Sequence, residues 1–160
     1  MKLVLLLLIC AALSCNTGTY VYTNSLFQMQ IPKDWVLKEN EIDFMPLRMY
    51  KAENSILPNF NVMLLNDDKD IKKTIYENRD KNCQKGACHS NSIKRYFSNK
   101  QELFVSFQDL TIDRKRIIIR QYYIQSKNTI FLLSFFCMKK DNRKYEALFD
   151  QLVNSFVIKV

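Results

Sequence analysis

The clearest structural signals lie in residues 128–158, which read "NTIFLLSFFCMKKDNRKYEALFDQLVNSFVI". Residues 128–138 are apolar almost throughout, which is typical of a strand in the middle of a sheet that is covered on both faces. Apolar residues then recur at intervals of three and four, as on one side of an amphipathic helix. These positions are Tyr145, Leu148, Phe149, Leu152, Val153 and Phe156. The stretch therefore predicts a central strand followed by a closing helix that packs on the sheet.

The rest of the chain adds strands and one further helix. Alternating or apolar patterns predict strands over 26–32, 41–52, 59–66, 92–98, 101–110 and 115–125, and Trp35 opens a short extended run. Pro46 indicates that 41–52 is an edge strand or contains a bend. Between 59–66 and 92–98, a short amphipathic helix is expected to begin at Asn66 or Asp67 and to end near Cys83. The order predicts an α+β fold, in which an antiparallel sheet of about six to seven strands is flanked by helices in a layered sandwich.

The first residues of the chain are typical of an export signal. Lys2 is followed by an uninterrupted apolar run over 3–13, which is too short to span a membrane. Ala12 and Ser14 stand at the spacing that a signal peptidase recognises, so cleavage is expected after Ser14. We therefore divide the chain into a signal peptide (1–14), a tether (15–24) and a single α+β domain (25–160).

Cleavage after Ser14 would leave Cys15 as the first residue of the mature chain. The sequence "ALSC" (12–15) resembles the lipobox of bacterial lipoproteins, in which the cysteine carries the lipid. The alternative is a plain secretory signal that happens to be followed by a cysteine. By resemblance to lipoprotein sorting, Asn16 favours the outer membrane over the inner membrane, with the domain facing the periplasm.

The remaining cysteines suggest an oxidising compartment. Cys83 and Cys88 flank Gly86, and a turn at this glycine would let the two thiols meet, so we expect a local disulfide. The alternative is a metal site formed by these two cysteines and the adjacent His89, although this spacing is not that of a zinc finger. Cys137 lies in the apolar strand and is expected to be a buried thiol.

Basic residues outnumber acidic ones by 24 to 16, which gives a formal charge of +8. The basic clusters lie in 93–96, 113–120 and 138–144, within predicted strands and helices. Solvated faces of ordinary elements explain such clusters most simply. The functional alternative is attraction to acidic lipid head groups or to an acidic partner. Nucleic acid is not expected as a partner outside the cytoplasm.

Few residues are available for catalysis. The chain has two glycines, Gly18 and Gly86, which excludes a glycine-rich phosphate loop, and His89 is its single histidine. Acids near the predicted strands, such as Glu102, Asp109 and Asp113, are expected to be solvated unless a cleft brings two of them together. We therefore expect no enzyme, no cofactor and no metal site.

Both ends of the predicted domain resemble the PsbP/DcrB-like family. The opening "SLFQMQIPKDW" (25–35) is similar to that family's "F-x-I-x-x-P-x-x-W" segment, and "YEALFDQLVNSFVI" (145–158) is similar to its closing helix. The resemblance implies an antiparallel sheet flanked by helices, and accessory or binding modules of an export compartment. It carries over no catalytic residue.

Together these observations predict a monomeric lipoprotein that is anchored to the membrane through Cys15 and acts as a non-catalytic binding or accessory module of the cell envelope. A protein partner is expected, but the sequence does not identify it. The alternative function is that of a carrier for a small ligand, held between sheet and helix, or for a metal.

Overall fold

The computed structural model describes residues 18–51, 57–66, 70–98 and 101–159. Within them the chain forms ten strands, two α-helices and one 3₁₀ turn. In chain order these are β1 (Thr19–Thr23), β2 (Phe27–Pro32), β3 (Trp35–Ile42), β4 (Met45–Lys51), β5 (Asn59–Asn66), α1 (Ile71–Gln84), β6 (Ala87–Ser98), β7 (Gln101–Ile112), β8 (Lys115–Ser126), β9 (Thr129–Met138), the 3₁₀ turn (Lys139–Asp141), α2 (Asn142–Ser155) and β10 (Val157–Ile158). The predicted signal peptide and Cys15 lie outside the described residues.

The strands form two antiparallel sheets. The main sheet has the order β3-β4-β5-β9-β8-β7-β6, and a smaller sheet has the order β1-β2-β10. Strand β9 is the fourth of the seven strands and pairs with β5 on one side and β8 on the other. The predicted α+β fold and the central position of the strand at 128–138 are therefore confirmed.

Strand β9 is apolar apart from Thr129 and Ser134, because each face of the main sheet is covered. Successive side chains of a strand point to opposite faces. Phe131, Leu133 and Phe135 join the larger core, which α2 and the small sheet cover. Ile130 and Leu132 join a smaller core, which α1 covers from the other side.

Helix α2 has the buried face that its sequence predicts. Its buried residues are Tyr145, Phe149, Leu152 and Val153. The ring centroid of Phe149 lies 4.1 Å from that of Phe135 on β9. Burial of four large apolar side chains is worth roughly 1.5–3 kcal/mol each before entropy is counted, so packing on the sheet is the main source of this helix's stability.

Helix α1 begins later than predicted. Its N-cap is Asp70, whose Oδ1 accepts a hydrogen bond of 2.8 Å from Lys72 N, and the first helical residue is Ile71. The predicted start at Asn66 is wrong, because that residue still pairs with β9 as the last residue of β5. Asp67 lies outside the described residues.

The predicted tether is also too long. Thr19–Thr23 form β1, which pairs antiparallel with β2, so the folded domain begins before residue 25. Tyr22 is the one buried residue of this strand. Strand β1 therefore lacks the alternating pattern that marks a half-buried strand, and its pairing with β2 is what orders it.

The segment 41–52, in which an edge strand or a bend is expected around Pro46, contains the turn of a hairpin. Strands β3 and β4 pair antiparallel, and the chain reverses at Asp43 and Phe44. Phe44 is 51% exposed, which leaves an apolar ring at the tip of the hairpin. None of the helices in the described part of the chain is long and apolar enough to cross a membrane.

Candidate binding groove

A groove of about 720 Å³ opens between α2 and the strands β6, β7 and β8. It forms because α2 packs against β9, in the middle of the main sheet, and against β2 of the small sheet, whereas the main sheet continues beyond the helix to β6. The lining residues are Ser92, Lys94, Tyr96, Leu103, Val105, Phe107, Arg120, Tyr122, Asn142, Glu146, Asp150, Val153 and Asn154.

The groove has an apolar floor and a polar wall. The floor includes alternate residues of β7, Leu103, Val105 and Phe107, which share one face of the sheet. The wall includes every fourth residue along α2, namely Asn142, Glu146, Asp150 and Asn154. An apolar surface beside a few placed polar groups is the usual composition of a binding pocket.

Arg120 is the most deeply placed charge in the groove. Its side chain is 11% exposed, and Nη2 donates to Glu146 Oε1 at 2.7 Å and to Asn142 Oδ1 at 3.4 Å. Its guanidinium lies over the Phe107 ring, with Cζ 5.7 Å from the ring centroid. Burial disfavours the charged guanidinium, but the hydrogen bond and charge of Glu146 outweigh burial and raise the pKa of Arg120. Arg120 therefore remains charged and joins β8 to α2.

The Nε atom of Arg120 is buried and has no hydrogen-bond partner among the described residues. A buried donor of this kind usually finds an acceptor, from protein, water or a ligand. The groove thus contains a donor that the described part of the protein does not use.

Tyr122 makes a second link between β8 and the wall of the groove. Its hydroxyl donates to Asp150 Oδ1 at 3.4 Å. Burial, and then the charge of Asp150, raise the pKa of Tyr122 to about 12. The hydroxyl is therefore a hydrogen-bond donor at any physiological pH.

Asp109 and Glu102, two acids near the predicted strands, do not line the groove. Asp109 accepts two hydrogen bonds from Arg116, at 2.9 and 3.0 Å, and one from Lys139 at 2.6 Å. Glu102 pairs with Arg95 near the other end of β7. The structure does not bring Glu102 and Asp109 together.

The cysteine pair closes the corner between α1 and β6. Cys83 and Cys88 form a disulfide, with Cα atoms 5.2 Å apart, in agreement with the prediction. His89 does not join them, because its Nε2 lies 2.7 Å from Thr111 Oγ1. The structure therefore shows the two cysteines and His89 in a structural corner and not as three converging ligands.

Gly86 has a different role in this corner from the one expected. Its φ angle is not in the left-handed region. A Cβ atom here would lie 2.2 Å from the carbonyl oxygen of Thr111 on β7. Glycine is required because the two backbones approach each other closely.

Cys137 is buried, as expected, on β9. Burial raises the pKa of its thiol to about 11, so the thiol stays protonated and unreactive.

The sequence raises a ligand site between sheet and helix as an alternative, but it does not indicate which residues line this groove. The one local signal is Arg120 itself, a charged residue between the apolar runs of β8 in "RIIIRQYYI" (116–124). Its partner Glu146 lies 26 residues away, and no spacing within either segment links the two.

Comparison with known proteins supports the fold and not a sequence family. Neither a protein-family model nor a curated protein sequence matches this chain. Solved structures do match it across 89% of its length. The solution structure of cyanobacterial PsbP (CyanoP) from Synechocystis sp. PCC 6803 has a TM-score of 0.66, with 8% identity and 94% of that chain covered.

Two further structures agree. LpqN of Mycobacterium tuberculosis, described as involved in cell envelope biogenesis, has a TM-score of 0.65, with 11% identity and 91% of that chain covered. PA94 from Pseudomonas aeruginosa, described as a putative regulator of unknown function, has a TM-score of 0.53, with 11% identity and 98% covered. The chain therefore has the PsbP-like fold that the resemblance at its two ends predicts.

Proposed function

We propose that this protein is an exported, lipid-anchored and non-catalytic binding module of the cell envelope. The groove between α2 and strands β6–β8 is its binding surface. The observation that carries this proposal is the groove itself, a surface of about 720 Å³ with an apolar floor and a buried, permanently charged Arg120.

The proposed location draws on three observations. The leader at 1–14 and Cys15 resemble a lipoprotein signal. The disulfide between Cys83 and Cys88 is suited to an oxidising compartment. LpqN, which shares the fold, is described as involved in cell envelope biogenesis. We propose that the domain faces the periplasm from the outer membrane.

We propose that the groove is not catalytic because both acids that line it already have hydrogen-bond partners within the domain. Glu146 pairs with Arg120, and Asp150 accepts a hydrogen bond from Tyr122. Each acid thus holds α2 to β8. Ligand contacts would come from the apolar floor and the remaining donors.

A crosslinking residue at the rim of the groove tests this function. Tyr96 is 46% exposed and lines the groove, whereas Phe44 is 51% exposed at the tip of the β3–β4 hairpin. We would replace each in turn by benzoylphenylalanine in cells that produce the protein naturally. An adduct of defined mass that forms from Tyr96, and not from Phe44, supports the proposal.

The same experiment has a clear negative outcome. If irradiation gives no discrete adduct at Tyr96, or the same adducts at both positions, the groove is not the binding surface. The Phe44 variant is the control because it presents a similarly exposed aromatic ring at a site away from the groove.

The volume of the groove also favours a second candidate, a carrier for a small ligand. Pockets for small molecules usually measure about 300–1,000 Å³, and this groove lies within that range. The crosslinking experiment separates the two functions, because a small-molecule adduct adds a few hundred daltons or less and a protein adduct adds many thousands.

A further inference from the structure

We propose that the end of the domain where β1 begins lies against a membrane surface rich in anionic lipid head groups. This end, called here the N-terminal end, comprises Gly18, the β2–β3 turn, the β6 start, the β7–β8 turn, the 3₁₀ turn and the first turn of α2. The inference rests on the proposed anchor at Cys15 and adds an orientation to it.

Strand pairing places these segments at one end. Lys33 N donates to Gly18 O at 2.9 Å, which fixes the start of β1 beside the β2–β3 turn. From there the pairs at this end of the main sheet are Trp35 with Lys51, Tyr50 with Asn59, Asn59 with Phe136, Met138 with Ile117, Lys115 with Ile112, and Thr111 with Ala87. The basic clusters at 113–120 and 138–144, distant in sequence, thus meet at the N-terminal end.

This end is strongly basic in its described residues. Its basic residues are Lys33, Lys51, Lys85, Arg114, Lys115, Arg116, Lys139, Lys140, Arg143 and Lys144. Its acidic residues are Asp34, Asp109, Asp113 and Asp141. Asp109 pairs with Arg116 and Lys139, so it neutralises part of the excess and leaves the end with a net positive charge.

The opposite end differs in charge and in surface. Its described charges are mixed: the β3–β4 hairpin carries Glu39, Glu41 and Asp43, whereas basic residues there are Lys38, Lys72, Lys73 and Lys127. The hairpin tip also exposes Ile42 and Phe44. The two ends are about 36 Å apart along the 12-residue strand β8 and about 24 Å apart along the 8-residue strand β3. Both distances exceed the Debye length of about 10 Å at 0.1 M salt, so a charged surface at one end acts little on the other.

The chain between Cys15 and β1 favours lipid as the occupant. Thr19 begins β1 only four residues after Cys15, and four extended residues reach at most about 14 Å. Lipid on Cys15 would therefore hold the N-terminal end close to the bilayer. Basic residues at that distance are attracted to anionic head groups, and an acyl chain combined with a basic surface is an effective pair of membrane signals.

Amine labelling of the full mature chain tests this orientation. The protein would be reconstituted in vesicles of phosphatidylcholine alone or mixed with phosphatidylglycerol, acetylated briefly and analysed by mass spectrometry. We expect Lys115 and Lys140 to be labelled severalfold more slowly in the mixed vesicles, and high salt to remove the difference. Lys73 and Lys127, at the opposite end, should be labelled equally in both. Equal labelling of Lys115 and Lys140 in the two vesicles would overturn the inference.

Matched variants check that charge is the cause. Arg114→Glu with Arg143→Glu should abolish the protection of Lys115 and Lys140. Lys127→Glu with Lys73→Glu makes the same charge change in the corresponding hairpin turn and helical first turn at the opposite end, and should leave the protection intact. Loss of protection in both double variants would contradict the proposal.

Flotation with vesicles distinguishes the proposed orientation of the domain from the proposed lipid anchor at Cys15. A chain that floats with phosphatidylcholine vesicles but shows no protection keeps its anchor and overturns the orientation alone. A chain that floats only with phosphatidylglycerol supports the basic end and contradicts the anchor. Protection by added polyglutamate, and not by anionic vesicles, would assign this end to an acidic protein and overturn the lipid proposal.

Discussion

Arg120 Nη2 lies 2.7 Å from Glu146 Oε1, and this ion pair joins the main sheet to α2 at the floor of the groove. The side chain of Arg120 is 11% exposed, whereas that of Glu146 is 51% exposed. The pair therefore combines a buried cation with an anion that remains half in water. Its loss would affect both the stability of the domain and the shape of the groove.

Replacing Glu146 should leave the Arg120 charge poorly compensated. We expect Glu146→Gln to lower the free energy of unfolding by about 1–2 kcal/mol, less than for a fully buried pair because Glu146 is half exposed. Urea denaturation measures the change. Arg143→Gln, on the exposed side of the same helix, should change stability by less than about 0.5 kcal/mol.

A double-mutant cycle assigns the loss to the pair. If Arg120→Met is combined with Glu146→Gln, the double variant should lose less stability than the two single variants together. Additive losses would show that the two side chains act independently.

Lowering the pH should reduce the free energy of unfolding because Asp109 becomes protonated and its ion pairs are lost. Hydrogen bonds from Arg116, and then from Lys139, hold the pKa of Asp109 below its ordinary value of 3.8, although burial opposes them. Because the folded-state pKa is lowered, this stability is fully present above about pH 4 and is lost as the pH falls through the folded-state pKa. Asp109→Asn should cost about 2 kcal/mol at pH 7.

Denaturation at two pH values checks the sign of this effect. The difference between Asp109→Asn and the wild type should shrink from pH 7 to about pH 2. Asp113→Asn, in the adjacent exposed turn, should behave like the wild type at both pH values. A difference for Asp109→Asn that grows in acid would show that the sign is wrong.

Much of the fold was predictable because its signals are local. The apolar run of β9 and the three-and-four spacing of α2 each lie within one segment, as does the cysteine pair around Gly86. The groove was not predictable, because Arg120 and Glu146 come from distant segments and meet only through packing. Strand β1 was missed for a related reason, since its order comes from pairing with β2 and its residues are mostly exposed.

Replacing each of the two glycines by alanine tests whether the close approach of the Gly86 and Thr111 backbones requires glycine. Gly86→Ala would place a methyl group 2.2 Å from Thr111 O, so the α1–β6 corner must shift. We expect a loss of about 1–3 kcal/mol, as for other overpacked sites. Gly18→Ala would contact only the flexible Lys33 side chain, at 3.4 Å, and should be neutral. Equal stability of both variants in thermal unfolding would contradict this role for Gly86.

Removing the disulfide should loosen one corner and not the whole domain. The sequence separation of the two cysteines is 5, and a closed loop of about six residues corresponds to about 2 kcal/mol of stabilisation. In Cys83→Ser/Cys88→Ser, hydrogen exchange should increase at the end of α1 and the start of β6. If exchange increases equally in β9, the corner has a wider role than this structure indicates.

Export of the domain and its attachment to a membrane by lipid underlie both the proposed function and the proposed orientation. Intact mass spectrometry of the protein, made in a bacterium with lipoprotein maturation enzymes, tests this most directly. The predicted result is a chain that begins at Cys15, carries added acyl mass and retains the Cys83–Cys88 disulfide. A chain that still begins at Met1, or that begins at residue 15 without acyl mass, would contradict the account.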